Sequence, residues 1–130
     1  MNFENEKYKA SINFKIKTYE IDAAGHVNNI VYVKWLEDLR CKLFDQILPL
    51  DHLIYWHLYP VVVFTQIEYK KQLMLNDSPD GIIILESIHH NVMIFKFKFW
   101  YEEKIYSTAL QKCVLMNLKT GKMDKFKLKT

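Results

Sequence analysis

The sequence is short of the residues that break a chain into pieces. It has three glycines and three prolines among 130 residues, so its elements are expected to be long and its loops few. It has two cysteines, Cys41 and Cys113, far apart and without CxxC or histidine spacing. A disulfide framework and a zinc site are therefore not expected. No apolar run approaches the roughly eighteen residues that span a bilayer. The first residues, MNFENEKYK, are polar and lack the apolar stretch of a signal peptide. A cytoplasmic setting is the expectation. Internal repeats and low-complexity segments are absent as well.

Charge of one sign is also scarce over most of the chain. The net charge is +3, but five lysines from Lys119 onward (Lys119, Lys122, Lys125, Lys127, Lys129) stand against the single acid Asp124. That tail contributes +4, and everything before it sums to −1. Basicity confined to a tail, with no recognition motif, argues against a nucleic-acid binder. A solvated terminus accounts for it, and a nonspecific attraction to phosphates is the alternative.

What is present is apolar and aromatic. Half the residues are hydrophobic, with eight Tyr, eight Phe and three Trp, which predicts a packed core within one compact domain, residues 1–130. Residues 8–18 alternate, with Ile12, Phe14 and Ile16 against Asn13, Lys15 and Lys17, and predict a half-buried strand. From about Asn29 to Gln46 the period changes. Tyr32, Leu36, Leu39 and Leu43 form one helical stripe, with Asn28 or Asn29 as N-cap and Pro49 just beyond the end. Lys34–Asp38 and Asp38–Lys42 have the spacing of helical ion pairs. Residues 50–59 read as a short helix or turn. Four strand-like runs follow, at 61–70, 81–90, 92–103 and 105–119. Asn91 and the Glu102–Lys104 stretch are short enough to close antiparallel hairpins. Strand, long helix, then strands predicts an α+β fold, one helix laid across an antiparallel sheet. The bare sheet edges would be managed by dimerisation.

The chemistry is concentrated in YEIDAAGHVNNIVYVKWLEDLR, Tyr19 to Arg40. Asp22 opens an Ala-Ala-Gly turn just ahead of a helix N-terminus, where unpaired N–H groups can hold an anion or a developing oxyanion. A carboxylate beside such donors is half of a hydrolytic site. The same Asp22 could equally do no more than cap its turn.

The spacing D-A-A-G-H-V-N-N-x-x-Y-x-x-W-x-E-x-x-R, Asp22 through Arg40, resembles the signature of hotdog-fold thioesterases of the 4-hydroxybenzoyl-CoA thioesterase type. Its HVNN piece is similar to acyl-ACP thioesterases. The resemblance implies hydrolysis of an acyl-CoA or acyl-ACP thioester, with Asp22 as general base or as nucleophile. It implies an oxyanion held by N–H groups around Asn28 and Asn29, and substrate contacts from Gly25, His26, Asn28, Asn29 and Tyr32. It also implies an acyl site at the interface of a homodimer or homotetramer, and no metal or other cofactor. Glu20 takes the place of a second acid seen in some relatives. The alternative is a non-catalytic hotdog that binds acyl-CoA or an acyl carrier, or serves as a structural subunit.

Other residues carry less. Glu37 and Arg40 are expected to brace the helix against the sheet. His89 and His90, adjacent on a strand, would point to opposite faces. Glu68 is expected to begin an exposed loop. Lys70 and Lys71, at a strand end, could meet CoA phosphates.

Overall fold

The computed structural model describes residues 7–124. Five strands form one antiparallel sheet in the order β1-β3-β4-β5-β2, with β1 at Lys9–Asn13, β2 at Leu58–Tyr69, β3 at Asp80–His89, β4 at Val92–Tyr101 and β5 at Lys104–Asn117. The long helix α1, Asn29–Ile47, packs on one face, and the short α2, Leu50–Tyr55, leads back into β2. This is the α+β arrangement expected from the order of elements.

The helix forms where the apolar period says it should. Asn28 is the N-cap, its Oδ1 accepting from the Ile30 N–H at 3.1 Å. Tyr32, Leu36, Leu39 and Leu43 are all buried. At about 1.5 Å per residue the 19 residues of α1 reach roughly 28 Å, enough to cross the sheet. The sheet face beneath it is built by alternation. Phe95, Phe97 and Phe99 on β4 and Ala109, Gln111 and Cys113 on β5 face the helix, and all are buried. Arg40 reaches from the helix to this face, donating to Gln111 Oε1 at 2.6 Å, while Gln111 Nε2 donates to Thr65 Oγ1 at 3.1 Å. The brace to the sheet is thus this amide rather than Glu37, which lies 3.9 Å from the guanidinium and is mostly exposed.

Several boundaries differ from expectation. The first strand ends at Asn13, because the chain turns there: Asn13 Nδ2 donates to Ser78 O at 3.1 Å, and a short 3-10 turn follows at Thr18–Glu20. β2 begins before Pro60, not after it. β2 is an edge strand, so a residue without an N–H costs the ladder nothing on the open side. Glu68 lies within β2 rather than in a loop. The hairpins close on two residues each, His90-Asn91 and Glu102-Glu103, all four with positive φ, the backbone of the tight turns that follow a right-handed strand twist. His90 is therefore a turn residue, and its ring contacts that of His89 at 4.2 Å instead of pointing away from it. Lys42 Nζ donates to Ser11 O at 2.6 Å, and among the described residues neither helical pair through Asp38 closes. The tail lysines Lys125, Lys127 and Lys129 lie outside the described residues, as do residues 1–6. Among those described, no helix is long and apolar enough to cross a membrane.

Candidate active site

The segment between β1 and α1 folds on itself before the helix starts. Asp22 N–H donates to His26 O at 2.8 Å and Gly25 N–H to Asp22 O at 3.0 Å. Gly25 takes φ +81, which a glycine adopts without a Cβ penalty. The Asp22 side chain closes the turn. Its Oδ1 accepts from the Ala24 N–H at 2.9 Å and the His26 N–H at 3.0 Å. Its Oδ2 has no hydrogen-bond partner among the described residues. So Asp22 does cap its turn, and one oxygen is left over.

The loop is pinned from both sides. Val27 N–H donates to Leu73 O at 2.8 Å, and Asn28 N–H to Glu20 O at 2.9 Å. Glu20 is itself tied up, its Oε1 accepting from the Lys17 N–H at 2.7 Å. At the helix start the Ile30 N–H goes to the Asn28 side chain and the Val31 N–H to the Asn28 carbonyl. The Asn29 N–H is left without an acceptor among the described residues. Of the two asparagines, Asn28 is the structural cap and Asn29 presents the open donor.

These groups border one cavity of about 350 Å³, lined by Asp22, His26, Val27, Asn28, Asn29, Tyr32, Tyr69, Lys71 and Gln72. Of the residues read from the motif, only Gly25 is not in its wall, serving the turn instead. Tyr32 is buried at the floor, its ring 5.1 Å from Tyr69 and 5.2 Å from Trp35. Burial pushes the Tyr32 hydroxyl far above the ordinary tyrosine range, with Tyr69 adding to the shift, so it stays a neutral donor. Phe14 and Phe99 stand behind it, Phe14 stacked on Trp35 at 4.8 Å. His26 makes no ring hydrogen bond among the described residues.

Three wall residues, Tyr69, Lys71 and Gln72, lie outside the Asp22–Arg40 motif. Tyr69 follows Thr65 and Ile67 on the helix-facing side of β2, and its hydroxyl sits 3.5 Å from Asn29 O. Alternation along β2 could have placed it near the helix start, and Gln72 follows three residues later. Lys71 directs its ammonium toward the Tyr106 ring at 6.0 Å, whereas Lys70 lies 3.8 Å from Glu68. No cluster of three or more metal-ligating side chains occurs among the described residues.

A cavity with a carboxylate oxygen and an unpaired helix-start N–H in its wall can activate a nucleophile and stabilise an oxyanion. Comparison with known proteins bears on which chemistry that is. A family model described as the thioesterase-like superfamily matches residues 16–128. No curated protein matches the chain. Among solved structures, the DHNA-CoA thioesterase from Staphylococcus aureus superposes with a TM-score of 0.82 at 14% identity, covering 90% of this chain and 80% of that one. The probable thioesterase YbaW from Escherichia coli gives 0.76 at 24% identity, covering 90% and 88%. SAV2348 from Staphylococcus aureus, solved in complex with CoA, gives 0.83 at 15% identity, covering 98% and 81%. At these identities the likeness is one of fold, and the fold is the hotdog.

Proposed function

The chain belongs to the thioesterase-like superfamily, and from that premise we propose that it hydrolyses an acyl-CoA or acyl-ACP thioester to a carboxylic acid and a thiol. The observation that carries the reading is the free Asp22 Oδ2 in one cavity wall with the unpaired Asn29 N–H. In the general-base form, Oδ2 takes a proton from water as the water oxygen bonds to the thioester carbon. The carbonyl electrons move onto oxygen, which the Asn29 N–H at the positive end of α1 stabilises. The carbonyl re-forms, the C–S bond breaks, and the thiolate takes up the proton. In the nucleophilic form, Oδ2 bonds to the carbon, the C–S bond breaks and the thiolate leaves; water then cleaves the mixed anhydride, releasing the acid and restoring the Asp22 carboxylate, and the proton goes to the thiolate. Both forms need the same oxygen.

Tyr32 and Tyr69 are suited to wall the acyl group, and His26 to flank the carbonyl. Lys71 is better placed than Lys70 to meet CoA phosphates, because Lys70 already has Glu68 beside it. A homodimer or homotetramer suits the open edge strand β2, where Val63 stands exposed. The rival reading is a non-catalytic acyl-carrier-binding subunit; the two N–H bonds on Oδ1 favour it, since they give Asp22 a structural task.

The test is CoA release from a panel of acyl- and aroyl-CoAs by the wild type and by Asp22→Asn. Asparagine keeps an acceptor oxygen for the turn and removes the base, so the expected loss in kcat is about 10²–10⁴-fold with the fold intact. Full activity in Asp22→Asn would remove Asp22 from the chemistry. Tight binding across the panel without turnover would favour the rival.

A further inference from the structure

Ser107 lies on the helix-facing side of β5, opposite Tyr69 of β2 and Phe99 of β4. It is fully buried, and its Oγ makes no close hydrogen bond among the described residues. A hydroxyl in that state is uncommon in a folded chain, because it has given up water and gained no partner. The polar group within its reach is the Tyr32 hydroxyl, near enough for Ser107 to hold back part of the upward shift that burial imposes on the tyrosine. The Tyr69 hydroxyl is directed elsewhere, 3.5 Å from Asn29 O.

Each hydroxyl has one proton to give and can also accept. Two hydroxyls that meet only each other make one bond and keep one proton over. If Tyr32 donates, the spare proton stays on Ser107, sealed inside the sheet. If Ser107 donates, the spare proton is on Tyr32, which borders the 350 Å³ cavity. The second arrangement puts the unspent donor where an acceptor can reach it. The Tyr32 ring is held edge-on by Tyr69 at 5.1 Å and by Phe99 at 5.7 Å. Its hydroxyl is therefore beside the sheet, at the cavity floor, whereas the open Asn29 N–H is at the helix start.

Resting on the thioesterase reading, we propose that Ser107 is a positioning residue that turns the Tyr32 O–H into the cavity, where it donates to an oxygen carried by the acyl group. The site then prefers thioesters whose acyl part bears a hydroxyl or keto oxygen away from the reacting carbonyl. A plain hydrocarbon acyl group would exclude water from that donor and offer it nothing in return. A pocket built around a donor discriminates by this penalty more than by the bond itself.

The test is calorimetric binding of matched acyl-CoAs to the full chain carrying Asp22→Asn, which needs no turnover. Benzoyl-CoA is paired with its ring-hydroxylated forms, and butanoyl-CoA with its chain-hydroxylated and keto forms, so that a ring oxygen and a chain oxygen are told apart. The oxygenated member of at least one pair is expected to bind on the order of tenfold tighter. Adding Tyr32→Phe should bring that ratio to about one, and adding Ser107→Ala should cut it about threefold, with unchanged circular dichroism. A serine that merely fills space would weaken both members of a pair alike and leave the ratio where it was. Equal binding within every pair, binding of no member, or a ratio that survives Tyr32→Phe would overturn the proposal, and a ratio that Ser107→Ala leaves whole would remove Ser107 from it. Selective binding of oxygenated acyl-CoAs that the wild type does not cleave would end the hydrolysis reading and leave this selectivity standing.

Discussion

Gly81 sits in β3 opposite Phe99 of β4 and Ile12 of β1, and a methyl group there has nowhere to go. A Cβ would lie 2.8 Å from Phe14 Cε2, 2.8 Å from Phe99 Cε1 and 3.0 Å from Phe99 Cδ1. Carbon atoms sit comfortably at about 3.5–4.0 Å, so both rings would have to retreat by several tenths of an ångström. Neither can do so freely. Phe14 is stacked on Trp35 at 4.8 Å, and Phe99 is fully buried with Tyr32 at 5.7 Å and Trp35 at 5.8 Å. Overpacking a filled core costs about 1–3 kcal/mol. Losing glycine's freedom in the unfolded chain returns about 0.4–1 kcal/mol. Gly81→Ala should therefore lose about 1–2 kcal/mol, a fall of roughly 1 M in the urea midpoint at a slope of about 1.5 kcal/mol/M. Equilibrium urea unfolding followed by tryptophan fluorescence reads this directly. The clash also predicts coupling: Phe99→Leu should cost about 1 kcal/mol less in the Gly81→Ala background than alone. A midpoint that stays or rises in Gly81→Ala, or strict additivity of the two changes, would refute the reasoning.

Two further outcomes follow from other parts of the fold. Glu102 and Glu103 hold φ 49 and 65 in the β4–β5 turn, a conformation that costs a side-chain-bearing residue about 1 kcal/mol or more; replacing the pair by Asn-Gly should raise stability by about 1–2 kcal/mol, and an unchanged or lower urea midpoint would count against it. Burial pushes the Cys113 thiol up from 9.0 to about 11, so the unfolded chain gives up this proton before the folded one does. The stability it contributes is full below about pH 9 and is lost by about pH 11; urea midpoints across that window should fall, and Cys113→Val should flatten the fall.

The parts of this fold that were legible in the sequence are those where one face is buried and the other is wet. The α1 stripe from Tyr32 to Leu43 and the Phe95-Phe97-Phe99 alternation both emerge as drawn, because burial imposes the period on the sequence. What was not legible depends on partners distant in the chain. The end of β1 is set by Ser78 capturing Asn13. Pro60 reads as a strand boundary until β2 is known to be an edge. His90 reads as a strand residue because nothing local announces its positive φ. The motif holds six of the nine residues around the cavity, but not the division of labour among them. The carboxylate split between turn and cavity, and the split between a capping Asn28 and an open Asn29, exist only as hydrogen bonds.

The two N–H bonds to Asp22 Oδ1 have a consequence for time as well as for place. A surface carboxylate ordinarily samples several rotamers, and gathering it into one costs entropy whenever a reactant arrives. Here the folding of the Ala-Ala-Gly turn has already done that gathering. The side chain and the turn are joined by these two bonds, so a change that loosens the loop, even one far from Oδ2, would shift where that oxygen points.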